Sequence, residues 1–571
     1  MINKNSLFLI ILSLFIFFSC SDQVNKSNLN PNKSSSTGWG YNDRKQGGLD
    51  VAKFNEQTPG PGLTFIEGGT FTMGRVEEDV ISDWNNISKT VHVSSFYMDI
   101  TEVRNIDYLE YLDWIKKHYI YDNEFQRNPN VSLEDGIKIY HNALPDTLVW
   151  RDKLGENEIF VTSYLRHPAF REYPVVGVSW EQANDYCKWR TDRVNEKILI
   201  EAGYLLPEGH EDRLPEFIFT TEAYLYGDDL YLNSLVGDKL KSKVKNLRKM
   251  NKDNDEGRYL SMEDGVLLPY YRLPTEAEWE IAALGYIGDN IENRKIYPWQ
   301  GSGLRNSTRK NQGQFLANFK GGRGGNTGSA GESSGDLYSV TGPVASYWPN
   351  DYGLFDMAGN VSEWTADVYR PVTELTTTTD NNPYRGNVYT QKKKNQNSQN
   401  SSSVVNPYTI NDQGIIEKEE IDPDDKSNIY RRNYKRSNNI NYLDGDIESI
   451  AGSSTQDILE FSSKDSSTIQ LNKRDTSGNN RNESNQLYNN SNEMYDFGTS
   501  TLVSDRSRVY KGGSWNDRAY WLSPGTRRFL DQSRSSSTIG FRCAMDRTGT
   551  DKSNIKPNQN RGTDYSQNRG R

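Results

Sequence analysis

The stretch from Tyr352 to Trp364 carries oxygen-bearing side chains around a glycine turn. Asp356 and Glu363 lie on either side of Gly359, where glycine permits backbone conformations that are closed to other residues. Calcium takes about six to eight oxygen ligands and accepts carboxylates and backbone carbonyls together. Asp356, Glu363 and the carbonyls of Gly359 and Val361 are therefore candidate ligands for one calcium ion. A capped turn with solvated carboxylates is the alternative interpretation of the same pattern.

The composition predicts a folded body combined with long polar segments. Of the 571 residues, 34% are hydrophobic and 12% are aromatic, too few for the whole chain to form a packed core. The net charge is -10, and Lys and Arg are mixed with acidic residues along the chain. This distribution lacks the basic stripe that binds nucleic acid, so we expect no nucleic-acid partner.

The N-terminus predicts export and a lipid anchor. Lys4 precedes an apolar run from Leu7 to Phe18, which is shorter than the roughly 20 residues of a membrane-crossing helix. Cys20 stands where cleavage is expected, in a setting that resembles the lipobox of bacterial lipoproteins. We therefore expect a signal peptide over 1–19 and lipidation at Cys20, with an ordinary secretory signal as the alternative. The polar segment 20–62 is predicted to be a flexible tether.

Two cysteines remain once Cys20 is assigned to the lipid, because the chain has 3 in all. Outside the cytoplasm, a disulfide between Cys187 and Cys543 can persist. Two buried free thiols are the alternative that spacing alone leaves open.

Hydrophobic periodicity and turn signals predict the elements of a domain that begins at Leu63. In chain order they are a hairpin over 64–74, a strand over 91–100, a helix from Thr101, a strand over 174–180, a helix over 181–190 and a helix from Glu276. The inner side of the helix over 181–190 is predicted to carry Ala183, Tyr186, Cys187 and Trp189. Thr275 and Glu278 have the spacing of a capping box at the start of the last helix.

Two insertions are predicted within a single domain over 63–546. Segment 191–271 carries charged helical patches between loops. Segment 370–504 is dominated by Asn, Ser, Asp, Lys and Thr, and it lacks the apolar content to offset the entropy lost on ordering. We predict a largely disordered surface loop over 370–504 and a disordered tail over 547–571.

A series of short motifs then follows one order along the chain. They are Glu-Gly-Gly-Thr-Phe-Thr-Met-Gly (67–74), Thr-Glu-Val (101–103), Val-Ser-Trp (178–180), Arg-Leu-Pro-Thr-Glu-Ala-Glu-Trp-Glu (272–280), Gly-Leu-Phe-Asp-Met-Ala-Gly-Asn-Val-Ser-Glu-Trp (353–364), Lys-Gly-Gly-Ser-Trp (511–515) and Gly-Phe-Arg-Cys-Ala (540–544). In this order they closely resemble the formylglycine-generating enzyme family, also called the sulfatase-modifying-factor family. The resemblance implies one α+β domain with little regular secondary structure, related to C-type-lectin-like folds.

The resemblance also implies two structural calcium ions. Their implied ligands are Asp356, Gly359, Val361 and Glu363 at one site, and Asn318, Phe319, Asp336 and Tyr338 at the other. Gly359, Val361, Phe319 and Tyr338 would contribute carbonyl oxygens. In some members of the family, a structural disulfide joins the positions of Cys187 and Cys543.

The catalytic cysteines of the family are missing. Members of the family that oxidise a substrate cysteine to formylglycine bind copper through two cysteines shortly after the Gly-Gly-Ser motif. Here Asp517 and about Leu522 or Ser523 occupy those positions. Neither a carboxylate nor a leucine replaces the thiolates that select copper(I). We therefore expect no catalytic residue and no copper, and hence a non-enzymatic protein; a sulfatase-maturing oxidoreductase with another site and a calcium-dependent glycan-binding module are the alternatives.

A lipoprotein with this domain and these insertions resembles the gliding-motility lipoproteins of the Bacteroidetes. Within that group, the similarity rests on Gly38–Asp43, Asp83–Asn86 and the Asn-rich insertion. This resemblance implies attachment to the periplasmic face of the outer membrane. It also implies a structural role beside other lipoproteins and outer-membrane proteins of the gliding and type IX secretion machinery.

Overall fold

The computed structural model describes residues 32–41, 43, 49, 56–76, 86–121, 128, 131–151, 157–213, 218–226, 235, 262–285, 295–321, 338, 340–369, 390–393, 417–421 and 506–549. The predicted signal peptide with Cys20, Asp336 and the predicted tail beyond 549 lie outside these ranges. None of the helices in the described ranges combines the length and the apolar content needed to cross a bilayer.

Helices and strands alternate irregularly along these ranges. The α-helices are Asn105–Tyr119 (α1), Leu133–Ala143 (α2), Glu158–Ser163 (α3), Trp180–Glu201 (α4), Thr221–Tyr226 (α5) and Glu276–Leu284 (α6). The strands are Leu63–Ile66 (β1), Gly69–Met73 (β2), Lys89–Val93 (β3), Phe96–Asp99 (β4), Tyr271–Arg272 (β5), Ser362–Val368 (β6), Thr390–Lys392 (β7), Lys418–Glu420 (β8), Ser507–Lys511 (β9), Arg528–Asp531 (β10), Ile539–Gly540 (β11) and Ala544–Asp546 (β12). The fold is mixed α and β with short elements joined by long irregular stretches.

Two four-stranded sheets form the centre of the described structure. One has the strand order β1-β4-β12-β5 and the other β10-β9-β6-β11. In the first sheet, β12 pairs antiparallel with β4, so that Ala544 lies opposite Met98. In the second, β9 pairs antiparallel with β6, so that Lys511 lies opposite Glu363. Strands from both sides of segment 370–504 therefore share the same sheets.

The hairpin predicted over 64–74 is wrong. β1 pairs with β4, and β2 pairs with β3, so the two strands on either side of the Gly-Gly turn belong to different sheets. A Cβ at Gly68 would lie 2.3 Å from the backbone nitrogen of Ser95. The run predicted as one strand over 91–100 is divided at Ser94 and Ser95 in the same way. The Gly-Gly turn and the break at Ser94 and Ser95 lie against each other. At each of them the chain passes from one sheet to another.

The segment predicted as a strand over 174–180 is not one. It makes a single bridge, from Pro174 to Arg104, before α4 begins at Trp180. Two residues of a capping box begin this helix: the Ser179 hydroxyl accepts from the Gln182 backbone N–H, and the Gln182 side chain accepts from the Ser179 N–H. This capping box therefore starts a helix at the end of an apolar run that the sequence pattern assigns to a strand.

The inward face predicted for α4 is confirmed. Its predicted core residues are all buried: Ala183, Tyr186, Cys187 and Trp189. The helix continues to Glu201, well past the predicted end at residue 190. Its C-terminal turns pack into a small apolar core in segment 191–271, made by Leu199, Leu205, Phe219, Ala223, Tyr224, Leu235 and Leu267. This insertion therefore contains packed structure in addition to the predicted charged patches and loops.

The described parts of the two insertions meet. Glu222 on α5 lies 3.2 Å from the Nζ of Lys418 and 4.0 Å from the Nζ of Lys392. These lysines belong to β8 and β7, which pair antiparallel, and Ile421 directly after β8 is buried. The prediction of a disordered loop over 370–504 otherwise falls on residues outside the described ranges.

Candidate functional site

Helix α6 places three glutamates and a tryptophan in the interior. The capping box predicted at Thr275 and Glu278 is present, and every residue of the helix is buried. Trp279 is completely buried and packs in the core that contains Ile66, Phe96 and Leu354. The helix therefore forms the side of the candidate site that lies opposite β6.

The loop before β6 is shaped by residues in left-handed backbone conformations. Gly353 and Gly359 have φ angles of 81° and 85°. A Cβ at position 359 would lie 2.3 Å from the carbonyl oxygen of Asn318, so only glycine fits this close approach. Asp356 and Asn360 also have positive φ angles, 55° and 58°. Such backbone strain in residues other than glycine is concentrated at functional sites.

Glu363 is held by an arginine. The guanidinium of Arg542 donates hydrogen bonds of 2.6 Å to both carboxylate oxygens of Glu363. The indole N–H of Trp279 donates another, of 2.7 Å, to Glu363 Oε2. All three side chains are fully buried. The remaining N–H groups of the guanidinium donate to the backbone carbonyls of Asp99, Ile100 and Phe355.

The ion pair with Arg542 bears on the predicted role of Glu363 as a calcium ligand, which stays a prediction. Both of its oxygens accept hydrogen bonds from Arg542, and the guanidinium compensates its charge away from water. An ionised carboxylate offers about four acceptor sites and Glu363 accepts three hydrogen bonds, so a calcium ion there would share this carboxylate with Arg542 and Trp279. Asp356, the other side chain predicted to bind this calcium ion, lies beside another acidic residue.

That neighbour is Glu102, from the Thr-Glu-Val motif at the start of α1. The carboxyl groups of Glu102 and Asp356 are both buried and lie within hydrogen-bonding reach of each other. Asn360 Nδ2 donates to Glu102 Oε1 over 3.0 Å, and the backbone N–H of Ala345 donates to Asp356 Oδ2 over 2.8 Å. Glu102 Oε2 receives no hydrogen bond from any described residue. Two ionised carboxylates cannot donate to each other, whereas a protonated Glu102 can donate to Asp356.

Electrostatics at the pair follow from burial. Burial raises the pKa of Glu102 well above its usual range, and the Asp356 carboxyl raises it further. Burial also raises the pKa of Asp356 to about 6, although the Ala345 hydrogen bond and Arg542 act in the opposite direction. When Glu102 and Asp356 are both ionised, the described residues therefore compensate their negative charge poorly.

The second predicted calcium site retains an acceptor that fits a cation. The Asn318 side chain donates from Nδ2 to the Val340 carbonyl over 2.8 Å, which brings the segment after Tyr338 beside it. Its Oδ1 atom is buried and has no hydrogen-bond partner among the described residues. With the Phe319 and Tyr338 carbonyls, Asn318 would hold a structural calcium ion; Asp336, the fourth predicted ligand, lies outside the described ranges. Within those ranges no group of three or more His, Cys, Asp and Glu side chains is placed to hold a metal ion.

The positions of the family's catalytic thiols are filled by a salt bridge and an apolar side chain. Asp517 accepts hydrogen bonds of 2.6 and 2.8 Å from the guanidinium of Arg528 and one of 2.5 Å from the Ser514 hydroxyl. Leu522 is fully buried in an apolar cluster with Phe315, Phe319 and Ala358. Ser523 directly follows it and is partly buried. Neither an ion-paired carboxylate nor a buried leucine can act as a copper ligand pair.

Cys187 and Cys543 meet in the interior. Both are fully buried free thiols, and their Sγ atoms lie 3.4 Å apart. A disulfide bond has a length of about 2 Å, so the two sulfurs are in contact without being bonded. The predicted disulfide requires only a small approach of two side chains that the fold already brings together.

We expect mild oxidation to join these cysteines in the purified chain. In the lipidated protein, in which Cys20 carries no free thiol, the oxidised form should show no thiol that reacts with a thiol reagent after denaturation. Reduction should lower its melting temperature. The loop-entropy model gives about 6 kcal/mol for closing a loop of several hundred residues. A Cys187→Ser variant serves as the control and should expose one reactive thiol. Two reactive thiols in the oxidised wild-type protein would contradict the pairing.

Comparison with known proteins places these observations in one family. Residues 49–417, more than half of the chain, match the family described as sulfatase-modifying factor enzyme 1-like domain, FGE-sulfatase. The formylglycine-generating enzyme of Mus musculus is 25% identical over 341 residues, covering 55% of this chain and 63% of the relative. The Mus musculus protein named inactive C-alpha-formylglycine-generating enzyme 2 is 25% identical over 325 residues, covering 54% of this chain and 70% of the relative. The chain thus spans less than two thirds of the first of these relatives.

More local and more distant similarities also occur. The formylglycine-generating enzyme of Thermomonospora curvata is 41% identical over 100 residues, covering 17% of this chain and 27% of the relative. The solved structure of PvdO from Pseudomonas aeruginosa is 12% identical, covers 85% of this chain and 94% of its own chain, and has a TM-score of 0.34.

The family match ends at residue 417, before two of the motifs that carry the resemblance. The structure nevertheless pairs β9 and β11 with β6, so both later motifs join the same sheet as the end of the 353–364 motif. From its matched residues, the chain belongs to the sulfatase-modifying factor enzyme 1-like (FGE-sulfatase) domain family.

Proposed function

We propose that the protein is a non-enzymatic outer-membrane lipoprotein that acts as a structural or assembly component of the gliding-motility and type IX secretion machinery. The non-enzymatic part of this proposal rests on the residues at the positions of the family's two catalytic thiols. There Asp517 is ion-paired with Arg528, and Leu522 is buried in an apolar cluster. Copper-dependent oxidation needs two thiolates at these positions, so the proposal includes no copper.

The comparisons are compatible with a family that is not uniformly catalytic. One mouse relative bears the name formylglycine-generating enzyme, and another is named an inactive form. A fold that is kept without the family's catalytic thiols supports a binding or scaffolding role. Its sheets and buried ion pairs still hold a large protein surface in a fixed arrangement. The C-type-lectin-like relationship of the fold belongs to this proposal, as does structural calcium at Asn318.

The assignment to gliding motility rests on sequence resemblance. Lipidation at Cys20 would hold the domain at the periplasmic face of the outer membrane. The motifs at 38–43 and 83–86 are most similar to those of GldJ, with its sibling GldK as the alternative. The proposed partners are other gliding and type IX secretion lipoproteins and outer-membrane proteins.

Affinity capture tests this proposal. We expect the tagged full-length chain, captured from detergent-solubilised outer membranes of its source bacterium, to recover gliding or secretion proteins in stoichiometric amounts by mass spectrometry. A Cys20→Ser variant should lose the outer-membrane location, because it lacks the lipidated cysteine. An unrelated outer-membrane lipoprotein with the same tag controls for adhesion to detergent micelles.

Two results would overturn the proposal. One is recovery of the chain alone from both native and cross-linked membranes. The other is copper-dependent conversion of a cysteine-containing peptide to its formylglycine form by the purified chain, followed by peptide mass. The second result would return the chain to the catalytic members of the family.

A further inference from the structure

His118, in the last turn of α1, is a buried histidine whose two ring nitrogens both face oxygen atoms. Its side chain is 6% exposed. Nδ1 lies 2.9 Å from the backbone carbonyl oxygen of Trp114, and Nε2 lies 3.3 Å from Oε1 of Glu208. A carbonyl oxygen only accepts hydrogen bonds, so Nδ1 carries a proton that it donates to Trp114. In a neutral imidazole, the other nitrogen then has a lone pair and no proton.

The contact between Nε2 and Glu208 therefore needs a second proton. Without it, a lone pair would face a carboxylate oxygen, and neither atom could donate. Arg193 also donates to Glu208 Oε1, over 3.0 Å, which keeps the carboxylate ionised. Burial acts to raise the pKa of Glu208, but His118, Arg193 and Arg213 together lower it to about 2. The second proton thus belongs on the imidazole, and the contact is an ion pair between His118 and Glu208.

Two features of α1 favour the protonated form of His118. The C-terminal end of a helix carries a partial negative charge, which stabilises a cation in the last turn. The ring of Trp114 also stacks on the imidazole, with 4.4 Å between the ring centres. An aromatic face attracts a cation placed over it. The position of this histidine therefore suits a positive charge.

The other charged groups around the pair do not add to this preference. They are Arg193 and Glu196 on α4, Arg213 after it, and Lys117 on α1, which pairs with Asp113 on the exposed side of the helix. Each of the two guanidinium groups contacts both Glu196 and Glu208. Among the described residues, two cations and two carboxylates therefore balance without the proton of His118. No surplus of negative charge holds that proton as the pH rises.

The ion pair joins two parts of the chain. Glu208 lies in loop 203–213, which follows α4 in the first insertion. Leu205 in the same loop packs in the apolar core of that insertion, together with residues of α5. Helix α5 carries Glu222, which contacts the second insertion. The pair with His118 therefore holds a loop whose packing extends to the place where the two insertions meet.

We propose that His118 and Glu208 form a pH-sensitive latch, closed by the second proton on His118, that holds loop 203–213 against α1. Histidine side chains change charge between about pH 5 and pH 8. When the imidazole loses this proton, two hydrogen-bond acceptors face each other and the attraction between the loop and α1 is lost. The stabilisation is thus present at low pH and disappears as the pH rises through this range. The latch does not depend on the proposed function.

Hydrogen exchange measured by mass spectrometry on the full-length chain in detergent tests the latch. The loop gives a usable signal, because backbone N–H groups in it donate hydrogen bonds to carbonyl oxygens: those of Tyr204, Leu206, His210 and Arg213. Exchange is compared at about pH 5.5 and about pH 8, after correction for the intrinsic pH dependence of exchange. Protection of 203–213 in the wild-type protein should fall by about tenfold at the higher pH, the effect of losing one charge-assisted hydrogen bond.

Three variants identify the group that responds. His118→Gln and Glu208→Gln should each show the same protection at both pH values, because neither variant can form the ion pair. His210→Gln is the matched control, since His210 lies in the same loop and its Nδ1 accepts from the Asp212 backbone N–H. It should keep the wild-type response. A response that survives in both His118→Gln and Glu208→Gln, one that His210→Gln removes, or no response in the wild-type protein would overturn the proposal.

Discussion

Replacing Glu363 with alanine should lower the free energy of unfolding by about 3 to 5 kcal/mol, the usual cost of removing one partner of a buried ion pair. The Arg542 guanidinium would remain fully buried without its bidentate carboxylate partner. Trp279 would also lose the acceptor of its indole N–H. Urea unfolding followed by tryptophan fluorescence measures this loss.

Two further variants show whether the buried charge is the cause. Glu158→Ala breaks the Arg151–Glu158 pair, whose side chains are both more than half exposed, and should leave the urea midpoint nearly unchanged. A double Glu363→Met, Arg542→Met variant should lose less stability than Glu363→Ala, because neither member of this ion pair is left buried without the other. An unchanged midpoint for Glu363→Ala would contradict the role of this pair.

Replacing Lys511 with methionine should cost a similar amount, about 3 to 5 kcal/mol. Its ammonium group is fully buried and lies 2.7 Å from Glu280 Oε2 and 3.3 Å from Glu276 Oε1. Glu276 retains Arg527, which donates to both of its carboxylate oxygens at 2.6 and 2.9 Å. Among the described residues, Glu280 would retain the Gly74 backbone N–H as a donor, and its buried charge would lose its cation.

A double-mutant cycle isolates this effect. Lys511→Met combined with Glu280→Gln should recover part of the lost stability, since glutamine removes the charge and still accepts from the Gly74 N–H. The coupling energy between the two positions should fall within about 0.5 to 3 kcal/mol. Lys138→Met on the exposed face of α2 is the control and should leave the urea midpoint unchanged. Simple additivity of Lys511→Met and Glu280→Gln would show that the lysine does not stabilise Glu280.

Local signals in the sequence predicted local structure. The Thr275–Glu278 capping box and the buried face of α4 were readable because a helix relates residues three and four positions apart. The prediction that Asp517 and Leu522 stand at the positions of the family's catalytic thiols was also a local one, because both lie close to the Gly-Gly-Ser motif. In each of these cases, the residues that interact or are compared are near one another along the chain.

Pairings between distant residues were not readable in the same way. No spacing rule connects Glu363 with Arg542 or Asp356 with Glu102, because both pairs form only when distant motifs meet. The hairpin over 64–74 failed for a similar reason: β1 and β2 each find a better partner in a later strand. A signal could have been found for Glu102, since it belongs to a motif of the family resemblance and is followed by a helix. That Asp356 lies beside Glu102 could be seen only in the folded structure.

The pairing of β12 with β4 and β5 also determines when the domain can fold. The last strand completes a sheet whose first strands were synthesised several hundred residues earlier. Contacts of such large sequence separation slow folding, because the chain must close a very long loop before they form. The closing entropy grows only with the logarithm of loop length, so segment 370–504 adds little to that cost. The domain therefore remains incomplete until its C-terminal strands emerge, and its insertion can change in length with little penalty to the finished fold.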